Sequence, residues 1–414
     1  MGDTLRDRRL VPILATLIAA GLLAAGCTSS VPAANRQPSA PATTTSGPTS
    51  RAASSPADAA PSVRPVATAP LRRGERWVQL SLPGRTYRPQ APAGGTDDYR
   101  CILLDPKLAT GAFLSGVVLR PGNPKLVHHA ILYRVDPAQV AAAQAKDAAD
   151  PRLGWSCFGG PELPGKGGVL GGLDSAPWVA AWATTGGEQR FAAGTGQRLA
   201  AGSRVILQMH YNLLNGGGTD STSVALRIAR AGVGLKPLQT LLLPAPVELP
   251  CPAGQHGPLC DRSAAVFDVQ RRFGVGAGAT IGGLQLLCGG SLTHPRAAVT
   301  QSCRRPVPGA MTIQAVAGHM HLLGRSIRID LLRADGTHHR LLNVPVWDFD
   351  NQRATVLAKP LTVRPGDALR VSCTHDATLR QKLPELRKLP PRYVVWGEGS
   401  SDEMCLGIIS YTLS

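Results

Sequence analysis

Two histidines one residue apart, His319 and His321, have the spacing in this chain that most directly suggests chemistry. An alternating segment follows them at residues 325–330, and this pattern is typical of a half-buried strand. Side chains at positions i and i+2 of a strand lie on the same face, so both imidazoles could reach one metal ion. A lone His-x-His pair is a weak signal, and its interpretation depends on the other candidate ligands.

Three more histidines, His128, His129 and His210, lie in or beside strong strand patterns. Neighbours on an ideal strand point to opposite faces. His128 and His129 can therefore bind one metal only with a local twist, or if one ring binds through its nearer nitrogen. Gln208 is predicted on the same face as His210, either near the gap between two metal sites or at the surface. The remaining histidines are predicted to be solvated surface residues: His256, His294, His338, His339 and His375.

Short strand patterns separated by turns must position these side chains, and the 46 Gly and 35 Pro favour such turns over long helices. Asp335-Gly336 predicts a hairpin, residues 137–148 a short helix, and a pause near 230–245 a domain boundary. Strands are predicted near 99–104, 113–120, 126–135, 178–183, 204–211, 223–228, 263–270, 279–287, 311–321, 326–333, 339–346, 353–358, 368–374 and 404–411. The predicted fold is all-β, with two antiparallel, jelly-roll-like β-sandwich domains in tandem at 75–235 and 236–414.

The net charge of +17 and the pI near 10 predict a basic surface that could attract anionic lipids or acidic polymers. The sequence has no basic run interleaved with aromatic residues and no zinc-finger spacing. Nucleic acid is therefore not an expected partner.

The first 27 residues are typical of an export signal. Arginines at positions 6, 8 and 9 precede an apolar run, 10–25, that is short for a membrane span. The run leads to Cys27 and resembles a bacterial lipoprotein signal, although Ala24 stands where Leu is commonest. Residues 28–74 have few large apolar side chains and are predicted to be a disordered tether. We expect an extracytoplasmic protein, anchored to the outer face of the cell membrane through lipidated Cys27, or else secreted.

The cysteine count agrees with export, since eight of the nine cysteines remain after Cys27 is set aside. An even number in an exported chain predicts disulfides, but spacing alone does not give their connectivity. No pair has C-x-x-C spacing, so a thiolate metal or redox site is not expected. The eight are Cys101, Cys157, Cys251, Cys260, Cys288, Cys303, Cys373 and Cys405.

Four segments resemble, in order, motifs of the copper type II, ascorbate-dependent monooxygenases, which include peptidylglycine alpha-hydroxylating monooxygenase and dopamine beta-monooxygenase. Residues 127–132 are similar to the paired-histidine motif and 207–211 to the third-histidine motif. Residues 318–324 are similar to the His-x-His motif, and 399–405 to the methionine-ligand motif, which is the most specific. The resemblance covers about 95–414. The interval from His210 to His319 is longer than in the family, which indicates an insertion carrying Cys251 and Cys260.

The resemblance implies two coppers per chain, with O2, a small-molecule substrate and ascorbate or a similar reductant. The electron-transfer copper would be held by His128, His129 and His210. The second copper, where O2 and substrate meet, would be held by the catalytic residues His319, His321 and Met404, with the two metals facing each other across a water-filled gap. Imidazole suits both oxidation states of copper, and a thioether favours Cu(I). The chain is expected to act as a monomer.

The resemblance also supports two disulfides, Cys101–Cys157 and Cys373–Cys405. The second of these would fix the strand that carries Met404. Cys251–Cys260 and Cys288–Cys303 then remain by elimination and short separation, and their connectivity is left open.

Two positions depart from the peptide-hydroxylating family member. Ala317 replaces an arginine that helps to hold the substrate carboxylate, and Ile408 replaces a tyrosine with a related role. Both changes remove polar groups from the pocket wall. We therefore expect a small, apolar, non-peptide substrate.

Two other functions fit the same sequence. One is a copper-binding lipoprotein that kept the ligands and lost oxygenation. The other is a double β-sandwich adhesion or sugar-binding module with structural histidines. The copper content of the protein separates the last of these from the other two.

Overall fold

The computed structural model describes residues 66–92, 95–157, 159–164, 177–183, 186–214 and 216–413. Cys27 and the predicted tether up to residue 65 lie outside this range. Residues Ala59–Ser414 form one compact unit. The predicted division at residue 236 falls inside this unit, at the start of a strand, and stays a prediction.

In the described ranges, the first half of the folded chain contributes ten strands. They are β1 (Glu75–Ser81), β2 (Asp97–Leu104), β3 (Ala112–Arg120), β4 (Val127–Val135), β5 (Trp155–Ser156), β6 (Trp178–Ala183), β7 (Gln189–Arg190), β8 (Thr195–Leu199), β9 (Arg204–Asn212) and β10 (Ser223–Arg230). The helix predicted at 137–148 is present as a 3-10 turn, Pro137–Gln139, followed by α1 (Val140–Ala149).

The second half contributes ten more strands. They are β11 (Lys236–Pro244), β12 (Glu248–Leu249), β13 (Thr300–Pro306), β14 (Met311–His319), β15 (Gly324–Leu332), β16 (His338–Val344), β17 (Thr355–Val363), β18 (Ala368–His375), β19 (Val394–Val395) and β20 (Leu406–Leu413). The helices of this half are α2 (Arg262–Phe273), α3 (Val275–Leu287) and α4 (Leu379–Lys382). Two further 3-10 turns lie at Ala231–Val233, just before β11, and at Pro258–Cys260.

In the described ranges, four sheets are formed, and the all-β prediction is confirmed. The largest has the order β1-β10-β3-β8-β11-β20-β14-β17, with β7 beside β3. Its first part faces the sheet β5-β2-β9-β4-β6, and its second part faces β13-β18-β15-β16, while β12 pairs with β19. The two parts join where β11 runs parallel to β8, at Lys236↔Thr195. The segment predicted as a pause, 230–245, therefore carries the strand that makes the largest sheet continuous.

Each pair of sheets encloses an apolar core. One core contains Ile102, Leu207 and Leu226, and the other contains Ile313, Ile329 and Val371, together with residues of the first half such as Tyr133. These side chains come from alternating positions of facing strands, as a sandwich requires. Full burial of each contributes roughly 1.5–3 kcal/mol.

The strands predicted at 263–270 and 279–287 are wrong, because α2 and α3 occupy these segments. Asp261 caps α2, since its side chain accepts a hydrogen bond from the Ala264 amide at 2.8 Å. Gly274, with φ +86°, separates the two helices. Short apolar runs do not distinguish a strand from a helix by periodicity alone, and the aspartate cap was the signal that could have decided it.

The predicted Asp335-Gly336 turn joins β15 and β16, and Gly336 takes a φ of +85°. All four disulfides are formed. Cys101–Cys157 and Cys373–Cys405, expected from the resemblance, are confirmed. The connectivity that the sequence left open is Cys251–Cys260 and Cys288–Cys303. Among the described residues, no helix is long and apolar enough to span a bilayer.

Candidate metal centre

His128, His129 and His210 form one cluster between β4 and β9. The pairing of these strands shifts register between Val127 and His129, so that His128 is the extra residue of a bulge. The bulge turns both neighbouring rings to the same side, which is the local distortion that the sequence required. The three Nδ1 atoms lie 3.1 Å (128 to 129), 3.2 Å (128 to 210) and 3.3 Å (129 to 210) apart.

The surroundings of this first cluster prepare the rings for a metal. Burial and the neighbouring imidazoles hold the pKa values of His128 and His129 well below the usual range, so both rings are neutral. His210 Nε2 lies 2.8 Å from Asp97 Oδ1, which places the proton on Nε2 and leaves the Nδ1 lone pair toward the other rings. The Tyr99 ring stacks on His210 at 4.1 Å. Three convergent Nδ1 atoms, with the proton of His210 held on its far nitrogen, fit a metal ion.

His319, His321 and Met404 form the second candidate set, and all three line one cavity. β14 ends at His319, and His321 lies in the turn that follows, not on the strand as predicted. Gln352 Oε1 lies 2.5 Å from His319 Nδ1, so this nitrogen carries the proton and Nε2 keeps its lone pair. Both ring nitrogens of His321 are buried without a hydrogen-bond partner in the described part of the chain. Buried polar atoms normally have a partner, so this pair also fits a ligand role.

Burial lowers the pKa of His319 to about 3, with His321 adding to the effect, and burial also lowers the pKa of His321. Both rings are therefore neutral near pH 7, as metal binding requires. Met404 is buried as well, with 6% of its surface exposed.

Glu403 holds the segments that carry this second set. Its Oε2 accepts hydrogen bonds from the amides of His321 and Met404, both at 3.0 Å, and its Oε1 accepts from the Leu323 amide at 2.7 Å. His375 Nε2 lies 3.3 Å from the same Oε2. Burial opposes ionisation of Glu403, but the hydrogen bond from His375 and the nearby imidazoles lower its pKa. The carboxylate therefore holds these backbone segments in place. It does not reach into the cavity, where a base would have to lie.

The prediction for His375 is wrong, because this residue ends β18 and is 2% exposed. Its neighbour Cys373 and the strand pattern up to residue 374 were signals that it continues into the interior. The other four histidines of that group are exposed, as predicted: His256, His294, His338 and His339.

The two histidine sets meet directly. The ring centroids of His129 and His319 lie 5.3 Å apart, edge to face. Phe349 stacks on His128 at 4.1 Å and approaches His321 edge-on at 6.5 Å. The expected water-filled gap between the sets is thus replaced by ring contacts. Phe349 and Gln352 were missed because they lie in a loop without a strand pattern, remote in sequence from every motif.

The cavity has a volume of about 450 Å³. Ala317 and Ile408 form part of its apolar wall. Gln208 also lines the cavity, which agrees with the predicted position near the gap between the sites and not with a position at the surface. Gln208 is buried and accepts a hydrogen bond from the Tyr133 hydroxyl at 3.3 Å. Glu398 also lines the cavity, and burial, together with Glu162 and Asp402, raises its pKa to about 8. The cavity therefore offers an apolar wall and a neutral carboxyl near pH 7.

The chain is similar to known proteins in part of its length. Residues 292–413 match the family model described as copper type II ascorbate-dependent monooxygenase, C-terminal domain. The chain is 32% identical over 106 residues to DBH-like monooxygenase protein 1 of Gallus gallus. This match covers 25% of the chain and spans 15% of the length of that protein.

Two solved structures are distantly similar to the chain. The major capsid protein P2 of bacteriophage PM2 is 13% identical with a TM-score of 0.24, covering 81% of this chain and 97% of that one. A fucolectin from striped bass serum is 9% identical with a TM-score of 0.18, covering 82% and 97%. TM-scores at this level carry no argument about fold or function.

Proposed function

We propose, on the premise that residues 292–413 belong to the copper type II ascorbate-dependent monooxygenase family, that this protein hydroxylates a C–H bond. The reaction consumes O2, two protons and two electrons, with the electrons from ascorbate or another small reductant, and it releases water with the hydroxylated substrate. The observation that carries the proposal is the meeting of two sets of buried imidazoles, because the ring of His129 of the first set lies 5.3 Å from that of His319 of the second and both line one cavity.

The two sets would hold one copper each. His128, His129 and His210 offer three Nδ1 lone pairs within 3.3 Å of one another. His319, His321 and Met404 offer two imidazoles and a thioether, a donor set that favours Cu(I). Copper, when bound, supplies the one-electron redox chemistry that activation of O2 requires.

The residues of the chain position the ligands and exclude water. Asp97 and Gln352 fix the tautomers of His210 and His319. Glu403 ties the backbone of His321 to that of Met404. The ring contacts between the sets shorten the distance that electrons must cross.

The pocket wall supports a small, non-peptide substrate. Ala317 and Ile408 present methyl and methylene groups where a carboxylate would need a cation or a hydroxyl. A substrate whose reacting carbon is part of an apolar group can pack there without leaving a charge unpaired. We further propose a monomer without nucleic-acid partners.

The same proposal includes the location of the protein. Four disulfides indicate an extracytoplasmic compartment. The Cys27 motif supports a lipid anchor at the outer face of the membrane.

The test is metal analysis followed by oxygen uptake. The purified full chain, loaded with copper, should hold two coppers and consume O2 with ascorbate and a panel of small C–H substrates. His321→Ala should lose turnover and keep the first copper, whereas His339→Ala, at an exposed position on β16, should keep both. Full activity of His321→Ala would show that the second site is misassigned.

Two outcomes separate the alternatives. Copper binding without substrate-dependent O2 uptake would leave a non-catalytic copper-binding protein. A protein that binds no copper would leave a β-sandwich module with structural histidines.

A further inference from the structure

The loop 397–404, which ends at Met404, is compact and internally bonded. Gly397 donates its amide to the Glu403 carbonyl at 3.0 Å, and Asp402 donates its amide to the Gly399 carbonyl at 2.8 Å. A Cβ on Gly397 would meet the Cβ of Asp402 at 2.8 Å, and a Cβ on Gly399 would meet its Oδ2 at 2.9 Å, so a larger residue at either position would have to displace Asp402. Two hydrogen bonds from the Arg272 guanidinium, at 2.6 and 2.9 Å, hold Asp402. The loop is therefore built to keep one shape.

One end of this loop is bonded to the first histidine cluster. The Ser400 hydroxyl donates to Asp97 Oδ1 at 2.9 Å, and this oxygen also receives Nε2–H of His210 at 2.8 Å. Asn212, two residues after His210, donates from Nδ2 to the Ser400 hydroxyl at 3.2 Å. The Tyr99 hydroxyl, whose ring stacks on His210, donates to the Glu398 carbonyl.

The other end of the loop is bonded to the second set through Glu403, as described above. A continuous chain of bonds thus runs from His210 through Asp97 and Ser400 along a rigid loop to Met404. In this path, Ser400 is the side chain from the second half of the chain that bonds directly to Asp97. Asp97 in turn fixes His210, a candidate ligand of the first site.

We infer that Ser400 is a positioning residue for both metal sites, which fixes the His210 tautomer through Asp97 and the place of Met404 through the loop. The inference concerns the geometry of the ligands, and it rests on the proposed function only for the identity of the metal. Loss of the hydroxyl would leave the buried Asp97 carboxylate with one donor fewer and would remove the bond from Asn212 of β9 to the loop, while the Tyr99–Glu398 bond and the Ser400 amide would still tie the loop to β2. A single change should therefore disturb two sites that lie on different sheets.

The experiment uses nuclear magnetic resonance on the metal-free full chain labelled at methionine methyl carbons and histidine ring nitrogens. Ser400→Ala should shift and broaden the Met404 methyl signal and also move the His210 ring-nitrogen signals. Ser401→Ala is the matched control, because it is the next residue on the loop and its hydroxyl has no hydrogen bond within the described ranges. Ser400→Thr, which keeps a hydroxyl, should restore the wild-type signals.

A copper titration then extends the test. In Ser400→Ala, each site should bind copper at least about 10-fold more weakly, as when an outer partner of a metal ligand is removed. Unchanged signals for both residues, or a change at Met404 alone, would overturn the inference. The spectra require neither metal nor turnover. An inactive or copper-free protein would therefore contradict the proposed function and would not decide the role of Ser400.

Discussion

Ala317 on β14 and Ile408 on β20 are direct cross-strand partners, and both line the cavity that holds the second candidate site. Side chains of paired residues on one face lie about 4.5–5.5 Å apart at Cβ. The two family positions that depart from the peptide-hydroxylating pattern are thus one continuous patch of wall, not two independent changes. Because both members of this pair are apolar, neither contributes a polar group to the patch.

Restoring the family residues should create affinity for a carboxylate. We expect Ala317→Arg with Ile408→Tyr to bind an N-acylglycine at about millimolar Kd, since a bidentate arginine pair contributes a few kcal/mol when partly desolvated. Calorimetric titration measures it, with wild type giving no binding. Ala358→Arg, at an exposed position on β17, controls for charge alone. Equal affinities in the double variant and wild type would count against this pocket wall.

Glu403→Gln should weaken the second site and spare the first. An amide cannot accept the three backbone N–H groups of His321, Leu323 and Met404 as the carboxylate does. We expect a loss of about 1–3 kcal/mol in the free energy of unfolding and a 10- to 100-fold weaker Cu(I) affinity at one site. Denaturant titration and Cu(I) competition measure the two effects. Retention of wild-type affinity at both sites would contradict the role of this carboxylate.

Removal of the Cys373–Cys405 disulfide should release Met404. The bond joins β18 to the residue directly after the methionine, so its loss frees the backbone that places the thioether. Replacing both cysteines by alanine should cost about 2–5 kcal/mol of stability and lower copper content toward one per chain. The matched control is removal of Cys251–Cys260, which closes a short loop away from the cavity and should leave two coppers. Equal copper content in the two variants would argue against the restraint.

Glu398 should make stability depend on pH. Burial raises its pKa to about 8, well above the ordinary value, so the folded protein holds this proton more tightly than the unfolded chain. The resulting stabilisation is complete at low pH and is lost as pH rises toward about 8, by about 1.4 kcal/mol per unit. Relative to wild type, Glu398→Gln should therefore gain stability between about pH 5 and about pH 8. Urea unfolding at several pH values checks this, and parallel curves for the two proteins would refute it.

The sequence alone determined the residue types and the local pattern. Alternation and short apolar runs bounded by turns identified most strands. β13 alternates between buried and exposed positions, whereas β2, β4 and β9 are buried on both faces. The order of the four histidine and methionine motifs indicated the resemblance to the copper type II monooxygenases before any distance was known. The disulfides Cys101–Cys157 and Cys373–Cys405 followed from the same resemblance.

Tertiary structure decided what brings the ligands together. Strand register decides the bulge at His128. The burial of His375 and the contact of His129 with His319 depend on packing between strands that are far apart in sequence. The helices α2 and α3 were predicted as strands because short apolar segments satisfy either secondary structure until neighbours choose between them. The strand β11 was not predicted, because the strand pattern pauses at 230–245. The Ser400–Asp97 bond joins residues 303 positions apart, and no local pattern encodes a contact at that range, since its energy arises only once both sandwiches are formed.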